Sequence, residues 1–150
     1  MITVHIVRNF QDIELPLPRI KKLVKAICSR FKLSNATVGI AIVDNEQMRK
    51  VNAQFMNSKS TTDCLSFDLS EDKSRKLFEL VVNGELAQKE ANLRGHSSEA
   101  ELALYITHGL LHNFGFDDST RKQARKMHDN EDKILQQFGY GLVYNKRKRI

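Results

Sequence analysis

The sequence has little of what marks secreted, membrane-spanning or low-complexity proteins. Its two cysteines, Cys28 and Cys64, are too few for a disulfide framework and indicate reduced thiols. No apolar run approaches the ~18 residues of a transmembrane helix, and the N-terminus lacks the basic and apolar regions of a signal peptide. Neither an internal repeat nor a flexible linker interrupts the chain. These absences predict one cytoplasmic domain spanning residues 1–150.

Aromatic residues are also scarce, and the excess positive charge is concentrated in one place. There is no tryptophan among the 150 residues, so aromatic platforms for sequence-specific binding of single-stranded RNA are few. The net charge is +6 at pH 7, and four of the positive charges lie in the tail Lys146-Arg147-Lys148-Arg149. This tail, at about residues 145–150, could bind RNA or an acidic membrane surface. A solubilising terminus is the alternative.

The hydrophobic pattern predicts an α+β domain, in which a small mixed sheet of about four strands packs with about five helices. Apolar residues make up 41% of the chain, which suffices for one core. Strands are predicted at 2–7, 36–43, 64–69 and 77–82. Helices are predicted after Pro18, from Asp44 or Asn45 to about Gln54, over 85–93, after Ser97 or Ser98, and over about 119–138.

The segment from Thr107 to Asp118 contains two histidines one helical turn apart, followed by a glycine and two carboxylates. Residues at i and i+4 share a helix face, so His108 and His112 can bind one metal ion from the same side. Gly115 can adopt the left-handed turn that ends a helix. The chain can then return Asp117 or Asp118 to the same ion.

Asp118 is favoured as the third ligand because its six-residue offset from His112 suits a returning turn. Asp117 would then orient water or accept a proton, and a helix N-cap is its non-catalytic alternative. Three protein ligands leave one coordination position open for water, as in a catalytic zinc site. The metal site therefore sits on a central helix and the turn that follows it.

Other residues narrow the chemistry of this predicted site. Zinc proteases with this histidine spacing have glutamate as general base directly after the first histidine, whereas this chain has Gly109. A metal-activated water could still attack a phosphodiester. The remaining histidines, at positions 5, 96 and 128, are poorer ligand candidates. His128 falls on an exposed-looking helix face, although it could approach the site.

These motifs resemble the YbeY family of bacterial ribosomal-RNA maturation factors, also described as endoribonucleases. That family carries His-Gly-x-Leu-His-x-x-Gly-Tyr-Asp-His, which corresponds here to residues 108–118, with Phe116 for the tyrosine. A second family motif, Pro-Thr-Asp-Val-Leu-Ser-Phe, is similar to residues 61–67, and Asn52 and Phe55 match the positions before it. The resemblance covers most of the chain except the basic tail.

Two departures from the family pattern affect the predicted chemistry. The family's third zinc-binding histidine is Asp118 here. Aspartate is also a zinc ligand, but two histidines and one carboxylate suit iron or manganese as well. The family's arginine after the aromatic residue is replaced by Met56, so a phosphate-binding cation is lost unless Lys59 substitutes for it.

The resemblance also implies a metal-dependent function, which the histidine motif alone does not supply. It implies a single-strand endoribonuclease with one zinc ion bound by His108, His112 and Asp118. Ribosomal RNA and ribosomal proteins are the implied partners, in processing of the 3′ end of small-subunit ribosomal RNA and in ribosome quality control. The alternative is a non-catalytic ribosome-biogenesis factor with a structural or weakened metal site.

Overall fold

A computed structural model describes residues 1–141 and residue 143. The element order is β1 (Ile2–Arg8), α1 (Leu17–Arg30), β2 (Ala36–Val43), α2 (Asn45–Met56), β3 (Cys64–Asp68), β4 (Lys76–Asn83), α3 (Gly84–Arg94), α4 (Ser98–Asn113) and α5 (Arg121–Gln137). The predicted α+β class, with four strands and five helices, is confirmed for this part of the chain. The basic tail predicted at about residues 145–150 lies outside the described residues.

The four strands form one mixed sheet in the order β1-β2-β4-β3. β1, β2 and β4 are parallel, whereas β3 is an edge strand antiparallel to β4. The parallel strands are linked by helices, because a parallel connection requires a crossover. β3 carries the second sequence motif, so the sheet places this motif at its edge, next to the helix that contains the histidines.

Helix α4 lies at the centre of the domain. It contacts β3, β4, α1, α3 and α5, and most of its residues are buried, as the continuous apolar pattern predicted. The core shared by α4 and the sheet includes the fully buried side chains of Phe78, Leu80, Leu102, Ile106 and Leu110. A functional group at the C-terminal end of α4 is therefore held by a rigid support.

Polar caps decide where the helices begin. The Asp44 side chain accepts the backbone N–H of Gln47, and Gln47 completes the reciprocal bond of a capping box. Ser97 caps α4, and Thr120 forms a second capping box at the start of α5. Of the two predicted N-cap candidates for each helix, Asp44 caps α2 and Ser97 caps α4. Helix α5 begins at Arg121, slightly after the predicted start.

Helix α2 continues two residues beyond the predicted end at Gln54 and finishes at Met56. The two extra residues add an aromatic contact, because the rings of Phe55 and Phe67 lie 5.5 Å apart between centroids. Asn57 then ends the helix in the left-handed conformation, with φ of 55°. Among the described residues, no helix is both long and apolar enough to cross a membrane.

Candidate metal centre

The two histidines of the motif converge at the C-terminal end of α4. Their Nε2 atoms lie 3.2 Å apart, and each ring is partly exposed on the side of a common cavity. Gly115, with φ of 94°, directs the chain back toward the helix after Phe114. This left-handed conformation favours glycine, which has no Cβ.

The returning turn brings Asp118 to both imidazoles. Its Oδ2 atom lies 3.6 Å from Nε2 of His108 and 3.7 Å from Nε2 of His112. Three ligands at zinc-bonding distance from one tetrahedral ion are about 3.3 to 3.6 Å apart. The triangle formed by His108, His112 and Asp118 therefore fits one ion, and these residues form a potential metal-binding group.

The other ring nitrogen of each histidine is already bonded to an oxygen. Nδ1 of His108 donates to Oε2 of Glu131 at 2.6 Å, and Nδ1 of His112 donates to the carbonyl oxygen of Phe116 at 3.1 Å. With Nδ1 protonated, Nε2 of each neutral ring presents its lone pair toward the same point. Metal-binding histidines are usually held in this way by a carboxylate or a backbone carbonyl.

Glu131 is fully buried and supports two imidazoles at once. Its Oε2 accepts from His108, and its Oε1 accepts from Nδ1 of His128 at 2.7 Å. Burial alone would raise the pKa of Glu131, but the bonds from the two histidines outweigh it and lower the pKa. For His108, burial would lower the pKa, whereas its bond to Glu131 and the charges of Glu131, Asp63 and Asp118 raise it.

His128 and Glu131 stand behind the ligand triangle. The exposed face predicted for His128 is wrong, because its side chain is only 14% exposed, but its predicted approach to the site is confirmed, since it lines the cavity beside His108. The two rings are stacked with centroids 6.2 Å apart. Glu131 was missed entirely, although it follows Met127 by four residues and precedes Leu135 by four, on the apolar face of α5. The sequence signal that could have identified Glu131 is an acidic residue on a helix face that is otherwise apolar, because such residues are rarely buried unless they are paired.

A second potential metal-binding group consists of His108, His128 and Glu131. Both contacts of Glu131 in this group are hydrogen bonds from Nδ1 atoms. The group therefore acts as the support behind His108 and shares that residue with the first group. The Nε2 atoms of His108 and His112, together with Asp118, are therefore the group whose free ligand atoms face one another.

The cavity around these ligands has a volume of about 380 Å³. Its walls come from the start of β3, from α4, from the returning turn and from α5. The lining residues are Thr62, Asp63, Cys64, Leu104, His108, His112, Asp118, His128 and Glu131. The Asp118 side chain is 42% exposed, so the triangle of His108, His112 and Asp118 is open to solvent on this side.

Asp117 lies beside the metal cavity and does not line it. Its Oδ1 accepts the backbone N–H of Asp118 at 2.7 Å, and its Oδ2 accepts the hydroxyl of Ser119 at 3.0 Å. These bonds, first that of the Ser119 side chain, lower the pKa of Asp117. The carboxylate thus stabilises the turn before α5, and the catalytic role predicted for it stays a prediction.

Gly109 is required by the close packing of α4 against β3. A Cβ at this position would lie 2.7 Å from Sγ of Cys64 and 3.1 Å from Cδ2 of Leu80. The glutamate of a zinc protease has no room here, which excludes the protease arrangement from this site. Burial, and then the charge of Asp63, raise the pKa of Cys64, so its thiol is a packing group rather than a nucleophile.

Met56 and Lys59, the positions discussed for phosphate binding, do not line the cavity. Met56 is the last residue of α2 and is 58% exposed, and Lys59 is exposed in the following loop. Within residues 1–141 and 143, the cavity wall is therefore made of histidines, carboxylates, a threonine, a thiol and a leucine.

The sequence model of the family named Endoribonuclease YbeY matches residues 6–139 of the chain. The chain belongs to the YbeY family. It is similar to the Endoribonuclease YbeY of Caldanaerobacter subterraneus subsp. tengcongensis, with 31% identity over 116 residues that cover 68% of this chain and 73% of that protein. The Endoribonuclease YbeY of Staphylococcus aureus is 30% identical over 115 residues, covering 70% of this chain and 74% of its own length.

The solution structure of a Thermotoga maritima protein supports the fold. It matches with a TM-score of 0.64 and 23% identity, over 92% of this chain and 89% of that chain. The resemblance to YbeY inferred from the motifs is confirmed, and membership of the family supports an endoribonuclease role. The use of His108, His112 and Asp118 as metal ligands stays a prediction that the geometry fits.

Proposed function

We propose that the protein is a metal-dependent endoribonuclease that cleaves single-stranded ribosomal RNA. The observation that carries this proposal is the open triangle of His108, His112 and Asp118. Its edges of 3.2, 3.6 and 3.7 Å suit one tetrahedral ion. The proposed role is maturation of the 3′ end of small-subunit ribosomal RNA and ribosome quality control, in contact with ribosomal proteins.

Zinc is the proposed ion, and iron or manganese is the alternative that the mixed ligand set allows. A bound divalent ion supplies two things, a lower pKa for water and a positive charge next to a phosphoryl oxygen. Glu131 and the carbonyl of Phe116 fix the orientation of the two imidazoles. Asp118, on the open side, completes the ligand set without closing the site to RNA.

Charge supports a polyanionic substrate. The chain has a formal net charge of +6 at pH 7, which favours association with RNA through displacement of counterions. The lining of the cavity contains carboxylates as well as histidines, so without an ion the cavity would repel a phosphodiester. RNA cleavage at this position therefore depends on the ion for binding as well as for chemistry.

The test is cleavage of a single-stranded RNA that contains the 3′ end of small-subunit ribosomal RNA, with metal removed and then restored. His112→Ala removes one ligand, whereas His5→Ala removes an exposed histidine of β1 as the matched control. We expect cleavage and bound zinc in the wild type and in His5→Ala, and neither in His112→Ala. Elemental analysis and circular dichroism check the metal content and the folding of each variant.

Unchanged cleavage in folded His112→Ala would contradict the proposal. A second outcome separates catalysis from the non-catalytic alternative. If the zinc-loaded wild type binds the RNA in a salt-dependent manner but leaves it intact, the protein is a binding factor with a structural ion.

A further inference from the structure

Asp63, which lies directly before β3, contributes a carboxylate to the wall of the metal cavity. We propose that its Oδ2 atom accepts the proton of the water molecule that attacks the phosphodiester. Asp63 is thus a catalytic residue that the ligand motif does not contain. This inference rests on the proposed function and names the proton acceptor at the same site.

The backbone of Asp63 is fixed by its neighbours. Its carbonyl oxygen accepts the N–H of Asn83 at 2.9 Å. The buried side chain of Asn83 donates to the carbonyl oxygen of Thr62 at 3.2 Å and to the hydroxyl of Thr61 at 3.0 Å. Directly after it, Cys64 pairs with Val82 in the sheet. The backbone of Asp63 is therefore anchored to the end of β4, although Asp63 itself precedes β3.

Only one oxygen of the Asp63 carboxylate is used for structure. Oδ1 accepts the N–H of Cys64 at 2.7 Å and the hydroxyl of Thr62 at 3.3 Å. Among the described residues, Oδ2 has no hydrogen-bonding partner, and Asp63 is not part of either potential metal-binding group. The bonds to Oδ1 fix the rotation of the carboxylate and leave Oδ2 for a water molecule.

The other carboxylates of the cavity are already engaged. Both oxygens of Glu131 accept from histidines, and Oδ2 of Asp118 completes the ligand triangle. Within residues 1–141 and 143, Asp63 is the carboxylate of the cavity wall that belongs to neither the ligands nor their support. It therefore shares the cavity with the ligand triangle without being part of it.

The packing at Gly109 explains why the carboxylate comes from the strand. A zinc protease carries its base on the helix, directly after the first histidine. Here the Sγ of Cys64 occupies the space into which a side chain at 109 would project, 2.7 Å from that Cβ position. The residue before Cys64 supplies a carboxylate to the same cavity. The strand thus replaces the helix as the source of the base.

The proposed step balances as follows. A lone pair of the water oxygen forms the new bond to phosphorus, while one water proton passes to Oδ2 of Asp63. The bond from phosphorus to the leaving oxygen breaks, and its electron pair stays on that oxygen. The leaving oxygen takes a proton from solvent, and Asp63 returns its proton to solvent after product release.

The experiment compares Asp63→Asn with Asp68→Asn in the zinc-loaded protein. Asparagine preserves the oxygen that accepts from Cys64 and Thr62, and Asp68 is an exposed carboxylate at the other end of β3. Single-turnover cleavage is measured as a function of protein concentration, and bound zinc by elemental analysis. We expect Asp63→Asn to lower the maximal rate by about 100- to 10,000-fold, with unchanged zinc content and unchanged half-saturation for RNA.

Asp68→Asn should cleave as the wild type does. Formate added to Asp63→Ala should restore part of the lost rate, because a free carboxylate can take the proton, whereas a purely structural defect would not respond. Full activity of Asp63→Asn, or loss of its zinc, would overturn the assignment of Asp63. A zinc-loaded wild type that leaves RNA intact would instead contradict the proposed function, so the two failures are distinguishable.

Discussion

Replacing Glu131 with glutamine removes one of the two acceptor oxygens that hold the imidazoles of His108 and His128. These oxygens lie 2.6 and 2.7 Å from the two Nδ1 atoms, and the side chain is fully buried. The glutamine amide can accept from one ring, but its NH₂ group then faces the N–H of the other. Water cannot compensate easily, because the substituted group has no exposure to solvent.

The size of the effect follows from the loss of support behind a metal ligand. Removing such a partner typically lowers metal affinity by about 10- to 100-fold, or about 1.4 to 2.7 kcal/mol. A buried donor without a partner also costs about 1 to 3 kcal/mol of folding stability. We therefore expect Glu131→Gln to bind zinc more weakly and to unfold at a lower urea concentration than the wild type.

Zinc affinity is measured by competition with a chelating dye, and stability by urea denaturation of the metal-free protein. Asp129→Asn is the matched control, because Asp129 is exposed on the same helix. Equal zinc affinity in Glu131→Gln, Asp129→Asn and the wild type would refute the reasoning. Weaker affinity without loss of stability would show that glutamine satisfies both rings and that only the charge of Glu131 matters.

Further predictions concern packing, ligand identity and thiol reactivity. Gly109→Ala should destabilise the fold by about 1 to 3 kcal/mol, and less when Cys64→Ala removes the facing sulfur; additive effects in urea denaturation would contradict this. Asp118→His should bind zinc more tightly in dye competition, because imidazole is a good zinc ligand, and weaker binding would argue against Asp118 as a ligand. Burial raises the pKa of Cys28 from 9.0 to about 11, so the folded protein keeps the neutral thiol where an unfolded chain would ionise. The contribution of this group to the free energy of unfolding is therefore fully present below pH 9.0 and is lost as the pH rises through about 11. Iodoacetamide at pH 8 should therefore modify Cys28 only in urea, as followed by mass spectrometry.

The convergence of His108, His112 and Asp118 could be predicted because it depends on local geometry. His108 and His112 share a face of any regular helix, and Gly115 allows the turn that returns Asp118. Each of these relations depends on fewer than a dozen neighbouring residues, for which spacing along the chain determines proximity. The same reasoning predicted that α4 is buried, because its apolar residues surround the helix on all sides.

The supporting side of the site depends on how distant elements dock. Glu131 reaches His108 only because α5 packs against α4, and Asp63 reaches the cavity only because β3 is the antiparallel edge strand beside β4. Strand order and helix docking are set by side-chain packing throughout the core. Gly109 illustrates the difference. The sequence alone shows that this position lacks the glutamate of a zinc protease, whereas only the structure shows that a side chain there would collide with Cys64.

Glu131 also connects the ion position to the last helix of the described chain. α5 is held against α4 in part through this buried carboxylate, so an ion that fixes His108 fixes the docking of α5 as well. Binding to the folded state alone raises its stability in proportion to the logarithm of free ion concentration. The thermal unfolding midpoint and the protease resistance of α5 should therefore rise with zinc, so that the stability of a helix reports on the occupancy of a site to which it contributes no ligand.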